Sequence, residues 1–217
     1  MLKNPPARIA VFVSGGGTNL QALIDARDAG QLPHGELALV VSSNPEAYAL
    51  RRANDAGIPA RVVTRSMQMQ NYEDCLIELM EQHRIDLIVL AGFLVILSER
   101  FTSRFDHRIL NVHPSLIPSF CGKGFYGLRV HEAALARGVT LTGATVHFVN
   151  EIPDGGDIVL QKAVRVKRGD TPKILQERVM REAEWIILPR AVNAVCKRMR
   201  SAKALPSSNQ NEQKGRW

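Results

Sequence analysis

Cysteine is scarce in this 217-residue chain, and its three copies lie far apart, at Cys75, Cys121 and Cys196. Their odd number and the lack of any CxxC pair argue against a disulfide framework and against a zinc module. No apolar run reaches the roughly 18 residues that a membrane span needs, and the opening residues MLKNPPAR contain no apolar signal region. We therefore expect a cytoplasmic protein that has no membrane partner.

Aromatic residues make up only 6% of the chain, whereas basic residues exceed acidic ones and give a net charge of +7. This charge favours anionic ligands such as phosphates or carboxylates. A nucleic-acid-binding protein is one alternative, but no basic strand is interleaved with aromatic residues as in RNA-binding sheets. Histidine and aspartate occur without HxxxH or HExxH spacing. We therefore expect neither a metal ion nor a nucleic-acid partner.

Short apolar runs alternate with amphipathic stretches through most of the chain. Strands are predicted at 8–14, 36–42, 60–63, 86–92 and 108–113, with helices at 19–30, 45–57 and 71–84. This alternation indicates an α/β fold with a mostly parallel twisted sheet and helices on both faces. Two further strands, 142–149 and 158–166, are joined by a short connection and should form an antiparallel pair.

The last third of the chain predicts a long closing helix. Thr171 is expected to be its N-cap and Pro172 its first residue. Pro189 should kink or interrupt this helix, because proline cannot donate a backbone hydrogen bond. Residues 201–217 are polar and basic, so we expect a disordered tail after a single domain that spans 1–200.

The stretch VFVSGGGTNLQ (11–21) places three glycines between the first strand and the first helix. Such a turn lets a ligand approach the backbone, and the amides at the start of the helix favour an anionic group. The stretch lacks the lysine of an NTP-binding loop and the GxGxxG spacing of a dinucleotide-binding loop. A phosphorylated small molecule fits best, and a tight turn without a ligand is the alternative.

The segment ILNVHPSLIP (109–118) ends a buried strand with two polar side chains on one face, Asn111 and His113. Considered singly, His113 fits a structural histidine better, but its position beside Asn111 at a strand end favours a functional role. Ligands of open α/β sheets bind at the carboxyl ends of strands, so both should converge with AGFLVILS (91–98). Asp154, in NEIPDGGDIVLQ, belongs either to this site or to an ordinary Asp-Gly turn.

Five segments, in the order SGGGTNLQ, LAGFLVILS, ILNVHPSLIPSF, GATVHFV and DGGDIVLQ, resemble the phosphoribosylglycinamide formyltransferases. The similarity runs from about Arg8 to Met199. It implies a Rossmann-like formyltransferase fold and transfer of the formyl group of 10-formyltetrahydrofolate, a co-substrate, to the amine of glycinamide ribonucleotide in purine biosynthesis. NVHPSLIP alone is shared with related deformylating enzymes, so formyltetrahydrofolate hydrolysis is the alternative. We expect a monomer or a homodimer.

The resemblance also implies roles for individual residues. Asn111, His113 and Asp154 match the catalytic trio, in which Asp154 is expected to keep His113 protonated and to assist proton transfer. The ribonucleotide is expected on Gly16, Gly17, Thr18, Asn19, Pro114, Arg181 and Glu184. The folate is expected on Met69, Leu94, Val95, Ile96, Leu97, Asn111, Asn150, Glu151, Ile152, Pro153 and Asp154.

This chain departs from the family pattern at three places. Val95 and Met69 stand where the family often has arginine, so the carboxylates of the folate tail should be bound less tightly or by other basic residues. The loop 119–128, SFCGKGFYGL, is longer than in some members and contains three glycines. We therefore predict a mobile flap near the ribonucleotide.

Overall fold

A seven-stranded sheet with helices on both faces forms the computed structural model, which describes residues 5–65 and 72–204. The strands are β1 (Ala7–Val13), β2 (Gly35–Ser42), β3 (Ala60–Val62), β4 (Leu87–Leu90), β5 (Ile109–His113), β6 (Leu141–Phe148) and β7 (Ile158–Arg165). The α-helices are α1 (Thr18–Asp28), α2 (Tyr48–Asp55), α3 (Tyr72–Gln82), α4 (Glu99–Arg104), α5 (Leu128–Arg137), α6 (Pro172–Val179) and α7 (Trp185–Ala204). Met69 and the tail from residue 205 lie outside the described residues.

The strand order is β3-β2-β1-β4-β5-β6-β7. Strands β1 to β5 pair in parallel, whereas β6 runs antiparallel to both β5 and β7. The predicted α/β class and the antiparallel β6–β7 pair are therefore confirmed, and the antiparallel part of the sheet begins one strand earlier. Because β1, β4 and β5 are neighbours, their carboxyl ends meet at one edge of the sheet.

Alternate residues of β1 face the two sides of the sheet, and both sides are buried. Ile9 and Val11 pack in one apolar cluster with α1 and α7, whereas Ala10 and Phe12 pack in a second cluster with α3 and α4. This burial on both faces explains the continuous apolar run IAVFV (9–13), which is typical of a central parallel strand. The sheet is therefore a fixed platform for the loops at its carboxyl edge.

The start of one helix and the end of another differ from the predictions, and one helix was not predicted. Helix α2 begins at Tyr48, not at Pro45, because the Asn44 side chain accepts the Glu46 N–H at 3.0 Å and holds a local turn there. Helix α5 was not predicted, since its short sequence follows the glycine-rich stretch 119–127. Residues 201–204 were expected in the tail but form the last turn of α7.

The closing helix begins as predicted and is distorted at a different place. The Thr171 hydroxyl accepts the Ile174 N–H at 3.3 Å, and Pro172 is the first residue of α6. Pro189 does not interrupt the helix, because α7 continues through it with Leu188 and Val192 fully buried, and a kink there stays a prediction. The irregular segment lies upstream, in a π-helical turn at Met180–Glu184, called the π turn below.

Two further observations concern the described part of the chain. Among its helices, none combines the length and the apolar character needed to cross a bilayer. Within residues 5–65 and 72–204, no three His, Cys, Asp or Glu side chains group together in a way that could hold a metal ion.

Candidate active site

The polar residues predicted at the end of β5 meet the connection between β6 and β7. His113 Nδ1 lies 3.5 Å from Asp154 Oδ2, and Asn111 Nδ2 lies 3.5 Å from Asp154 Oδ1. The side chains of His113 and Asp154 are 5% and 14% exposed, respectively. The structure therefore brings the three predicted residues together in a largely buried cluster, which we call the trio.

The conformation of the β6–β7 connection positions Asp154. Its φ of 57° lies in the left-handed region, which non-glycine residues seldom adopt and aspartate tolerates better than most. Two residues later, a Cβ at Gly156 would lie 2.0 Å from the carbonyl oxygen of Phe148, so only glycine fits there. The Asp-Gly-Gly sequence thus makes a tight turn and also directs a carboxylate towards β5.

His147 belongs to the same cluster, although the sequence analysis assigned it no role. It lies opposite Asn111 in the antiparallel pairing of β5 and β6. Its Nδ1 is 2.7 Å from the carbonyl oxygen of Phe148, so Nδ1 carries the proton in a neutral ring and Nε2 is an acceptor. That Nε2 lies 3.2 Å from Asn111 Nδ2, from which it accepts in the neutral ring, and 3.5 Å from Asp154 Oδ1, to which it can donate when the ring is protonated. His147 therefore fixes the orientation of the Asn111 amide.

The loop 119–128 covers the trio with main-chain atoms. His113 Nε2 donates to the carbonyl oxygen of Phe120 at 2.9 Å, and the Gly122 N–H donates to Asp154 Oδ2 at 2.8 Å. Phe120, Gly122, Gly124 and Gly127 all have positive φ angles. The loop therefore contacts the reactive groups directly, and its predicted mobility stays a prediction.

Burial and the neighbouring groups shift the pKa values of His113 and Asp154. Desolvation lowers the pKa of His113, and the nearby carboxylate of Asp154 and the Phe120 carbonyl do not fully compensate for it. The expectation that Asp154 keeps His113 charged at neutral pH is therefore wrong while the loop covers the ring. For Asp154, burial raises the pKa, but the hydrogen bond with His147, the positive charge that His113 carries when protonated and the Gly122 N–H outweigh burial and hold this pKa below its ordinary value. Asp154 is accordingly a carboxylate at neutral pH.

A cavity of about 150 Å³ opens beside the trio. It is lined by Leu90, Phe93, Val95, Ile96, Leu97, Asn111, His147, Val149, Asn150, Glu151, Ile152, Pro153 and Asp154. Most residues that the resemblance assigned to the folate thus share one cavity. Leu94 does not line it and is 71% exposed, and its N–H donates to Ser14 Oγ, just after β1, at 2.9 Å.

The glycine-rich loop directly follows Ser14, which accepts the hydrogen bond from Leu94. Gly17 is the N-cap of α1 with a φ of 70°, and a Cβ there would lie 2.6 Å from Ala49 Cβ. The Asn19 amide donates to Glu184 Oε2 at 2.8 Å, and Thr18 contacts Met180 Sδ at 3.9 Å. The π turn therefore brings Glu184 to the start of α1, as the predicted ribonucleotide site requires.

The other residues predicted for the ribonucleotide site are Gly16, Arg181 and Pro114. Gly16 holds an arginine that the sequence analysis did not select, because its carbonyl oxygen accepts from Arg52 Nε at 2.8 Å. Arg52 Nη1 also donates to Gln21 Oε1 at 2.8 Å, so this guanidinium ties α2 to the loop. Arg181 is exposed on the π turn, and Pro114 follows directly after β5.

Glu184 is buried and has a displaced pKa. Burial raises the pKa of its carboxyl to about 7, although the hydrogen bond from Asn19 lowers it. Stability should therefore fall as pH rises from the ordinary pKa of 4.5 to about 7, because the unfolded chain releases this proton at lower pH than the folded one.

The Glu184→Gln variant should lack this loss of stability. Relative to wild type, we expect it to gain about 2–3 kcal/mol in the free energy of unfolding between pH 5 and pH 8. Urea unfolding of both proteins at the two pH values measures the gain. A stability difference that stays constant across this range would contradict the raised pKa.

Comparisons with known proteins agree on one family. Residues 7–192 match the formyl transferase family model. The phosphoribosylglycinamide formyltransferase of Haemophilus influenzae is 43% identical over 184 residues, which cover 84% of this chain and 84% of that protein. The trifunctional purine biosynthetic protein adenosine-3 of Homo sapiens is 46% identical over 192 residues, which cover 87% of this chain. The matched region makes up 18% of that much longer protein.

Solved structures show the same relationship. Glycinamide ribonucleotide transformylase 1 from Symbiobacterium toebii has a TM-score of 0.82 and 38% identity, and the match covers 88% of each chain. A formyltetrahydrofolate deformylase from Pseudomonas syringae has a TM-score of 0.78 and 28% identity, with 89% of this chain and 62% of that chain covered. The backbone is therefore shared by transferring and deformylating proteins, and identity is higher to the transferase.

Proposed function

Because this chain belongs to the formyl transferase family, and within it to the phosphoribosylglycinamide formyltransferases, we propose that it formylates glycinamide ribonucleotide. The donor is 10-formyltetrahydrofolate, and the acceptor is the primary amine of N1-(5-phospho-D-ribosyl)glycinamide. The products are formylglycinamide ribonucleotide and tetrahydrofolate, as in de novo purine biosynthesis. No metal takes part in this proposal.

One observation carries the proposal: two regions suited to different ligands lie side by side at the sheet edge that holds the trio. The cavity on one side reaches Asn111 and Asp154 and has an apolar wall of Val95 and Leu97, which suits a flat pterin. The glycine-rich loop on the other side opens α1, which suits a phosphate. The hydrogen bond from Leu94 N–H to Ser14 Oγ links the two regions directly.

The ribonucleotide half of the site offers separate groups for the phosphate and for the ribose. The amides at the start of α1, after Gly17, would bind the phosphate through the positive end of the helix dipole. Asn19 and Glu184 are already paired beside that helix end, and Asn19 Oδ1 has no partner within the described residues. This buried acceptor and the Glu184 carboxyl suit the hydroxyl groups of a ribose.

The formyl transfer needs a hydrogen-bond donor for the oxygen that becomes negatively charged. The amine nitrogen attacks the formyl carbon, and the carbonyl π electrons move to the formyl oxygen of a tetrahedral intermediate. His113 Nε2–H now donates to the Phe120 carbonyl, so it already binds a carbonyl oxygen in this structure. The formyl oxygen would replace Phe120 when the loop 119–128 moves, and Asn111 would donate as a second, uncharged donor.

Proton transfer completes the reaction. The attacking nitrogen must lose one proton and the folate nitrogen N10 must gain one as its bond to the formyl carbon breaks. Asp154 is a carboxylate and lies within 3.5 Å of both Asn111 and His113, so it can accept the first proton and return it directly or through water. No enzyme nucleophile is required.

Hydrolysis of 10-formyltetrahydrofolate to formate is the second candidate function. The similarity to the Pseudomonas syringae deformylase favours it, because water would attack the same carbon in place of the amine. The identity of 28% to that protein, against 43% to the Haemophilus influenzae transferase, supports transfer over hydrolysis.

An assay with and without glycinamide ribonucleotide separates the two functions. We expect the purified protein to convert 10-formyltetrahydrofolate to tetrahydrofolate only when the ribonucleotide is present, with formylglycinamide ribonucleotide formed in equal amount. Release of formate at the same rate without the ribonucleotide would instead establish the hydrolase. Asp154→Asn serves as the negative control, because both reactions depend on the trio.

A further inference from the structure

We propose that Arg65 binds a carboxylate at the glutamate end of the formyl donor, an inference that rests on the function proposed above. Arg65 is the last described residue after β3, and it reaches across to the segment that lines the cavity. It would therefore determine how strongly the site prefers donors that carry a glutamate tail.

The chemistry of the donor creates a need for a cation at the rim of the cavity. The reacting nitrogen of a folate lies between the pterin and a benzoylglutamate group that carries two carboxylates. With that nitrogen at the trio and the pterin in the cavity, the glutamate end must point outward. The charged side chains in the lining are Glu151 and Asp154, both acidic, so the lining itself repels a carboxylate.

Arg65 is fixed at this rim by two uncharged partners. Its Nη2 donates to the carbonyl oxygen of Ile96 at 3.0 Å, and its guanidinium carbon lies 5.9 Å from the centre of the Tyr72 ring. The side chain of Ile96 is 72% exposed, so this contact is at the mouth of the cavity. Among the described residues, no carboxylate lies within ion-pairing distance of Arg65.

Other arginines on this side of the sheet are less suited to the role. Arg100 pairs with Asp74, and Arg104 pairs with Glu81 at 2.6 Å, so their charges are already compensated. Arg61 donates to the carbonyl oxygen of the adjacent Ala60 at 2.9 Å and is not part of the cavity lining. Arg65 is therefore the described arginine that combines an uncompensated charge with a bond to the lining.

The remaining donors of Arg65 match a carboxylate. A guanidinium has five N–H groups, and one bond to Ile96 leaves an edge that can bind both oxygens of a carboxylate in parallel. The contacts with Ile96 and Tyr72 hold the group in place before the donor binds, which lowers the entropic cost of binding. Because Arg65 is exposed, salt should weaken its interaction with the donor.

The test compares two donors, 10-formyltetrahydrofolate and 10-formyltetrahydropteroate, which lacks the glutamate. In Arg65→Gln, we expect KM for the first donor to rise about tenfold, as for loss of one charge-assisted hydrogen bond. The KM for the second donor, the KM for the ribonucleotide and kcat should stay at wild-type values. Arg61→Gln removes the same charge from a neighbouring exposed position and should discriminate between the donors as wild type does.

Two outcomes would overturn the assignment: equal KM changes for both donors, or no change for either. Added sodium chloride should raise the donor KM of wild type more than that of Arg65→Gln, and an equal salt response would also count against Arg65. Calorimetric binding of both donors separates this inference from the proposed function. If wild type does not formylate the ribonucleotide, the function fails, while a tail-dependent loss of binding in Arg65→Gln would still support the role of Arg65.

Discussion

Replacing Asp154 with asparagine should lower kcat about a thousandfold and leave KM for both substrates within about threefold of wild type, the pattern expected when a proton-transfer group is removed. Asp154 is the carboxylate of the trio, and its lowered pKa keeps it charged at neutral pH. An amide has nearly the same shape but cannot accept the proton that the attacking amine releases. Ground-state contacts therefore persist while proton transfer is lost.

The Asp154→Asn substitution should leave the backbone conformation at this position unchanged. Asparagine adopts left-handed φ angles at least as readily as aspartate, so the φ of 57° adds no strain in the variant. The new side-chain oxygen can still accept the Gly122 N–H, which now donates to Asp154 Oδ2. The fold should be kept, and a melting temperature close to that of wild type would verify it.

Asp157→Asn is the matched control for this prediction. Asp157 lies three residues further along the same connection, its side chain is 70% exposed, and its Oδ2 lies 3.7 Å from His107 Nε2. The control should retain wild-type kcat. Steady-state kinetics with saturating ribonucleotide measure both variants, and a kcat for Asp154→Asn near that of wild type would remove Asp154 from the mechanism.

His113→Asn should lower kcat about a hundredfold, again with small changes in KM, because one of two donors to the developing oxyanion is lost. Asn111 remains in the variant and accounts for the residual rate. The shorter amide at position 113 can neither reach the position of the imidazole Nε2 nor take up and release a proton. The variant should therefore also lose the inflection that the ring contributes to the dependence of kcat on pH.

His107→Asn provides the comparison for His113. Its side chain is 56% exposed and contacts Asp106 and Asp157, away from the trio. This variant should keep both the rate and the pH profile of wild type. A His113→Asn variant whose turnover or pH profile matches wild type would show that the ring is structural.

Much of this architecture was predictable because local patterns and global packing agree. The apolar run of β4 is buried on both faces, and its composition alone indicated a central parallel strand. The polar residues Asn111 and His113 follow the period of an extended strand. They lie at its carboxyl end, where ligands of open α/β sheets bind. The motif around Asp154 could be assigned only through family resemblance, because Asp-Gly by itself describes an ordinary turn.

Other features depended on information that no short stretch of sequence contains. His147 joins the trio because of the register between β5 and β6, which fixes its position opposite Asn111. The pKa of His113 is lowered because the ring is buried. The nearby carboxylate of Asp154 alone suggested that the ring stays charged, which was the wrong direction for this pKa. The π turn likewise follows from packing against α1, whereas the sequence pointed to Pro189 as the irregular position.

The antiparallel join between β5 and β6 has a consequence for how this scaffold can diversify. Asn111 and His147 are held by a ladder of main-chain hydrogen bonds, and a slip of one residue would turn one of them to the opposite face. The surfaces proposed for the two ligands, by contrast, also include separate loops after β1 and β4. Evolution can therefore remodel those loops for new formyl donors or acceptors without disturbing the alignment of the reacting groups.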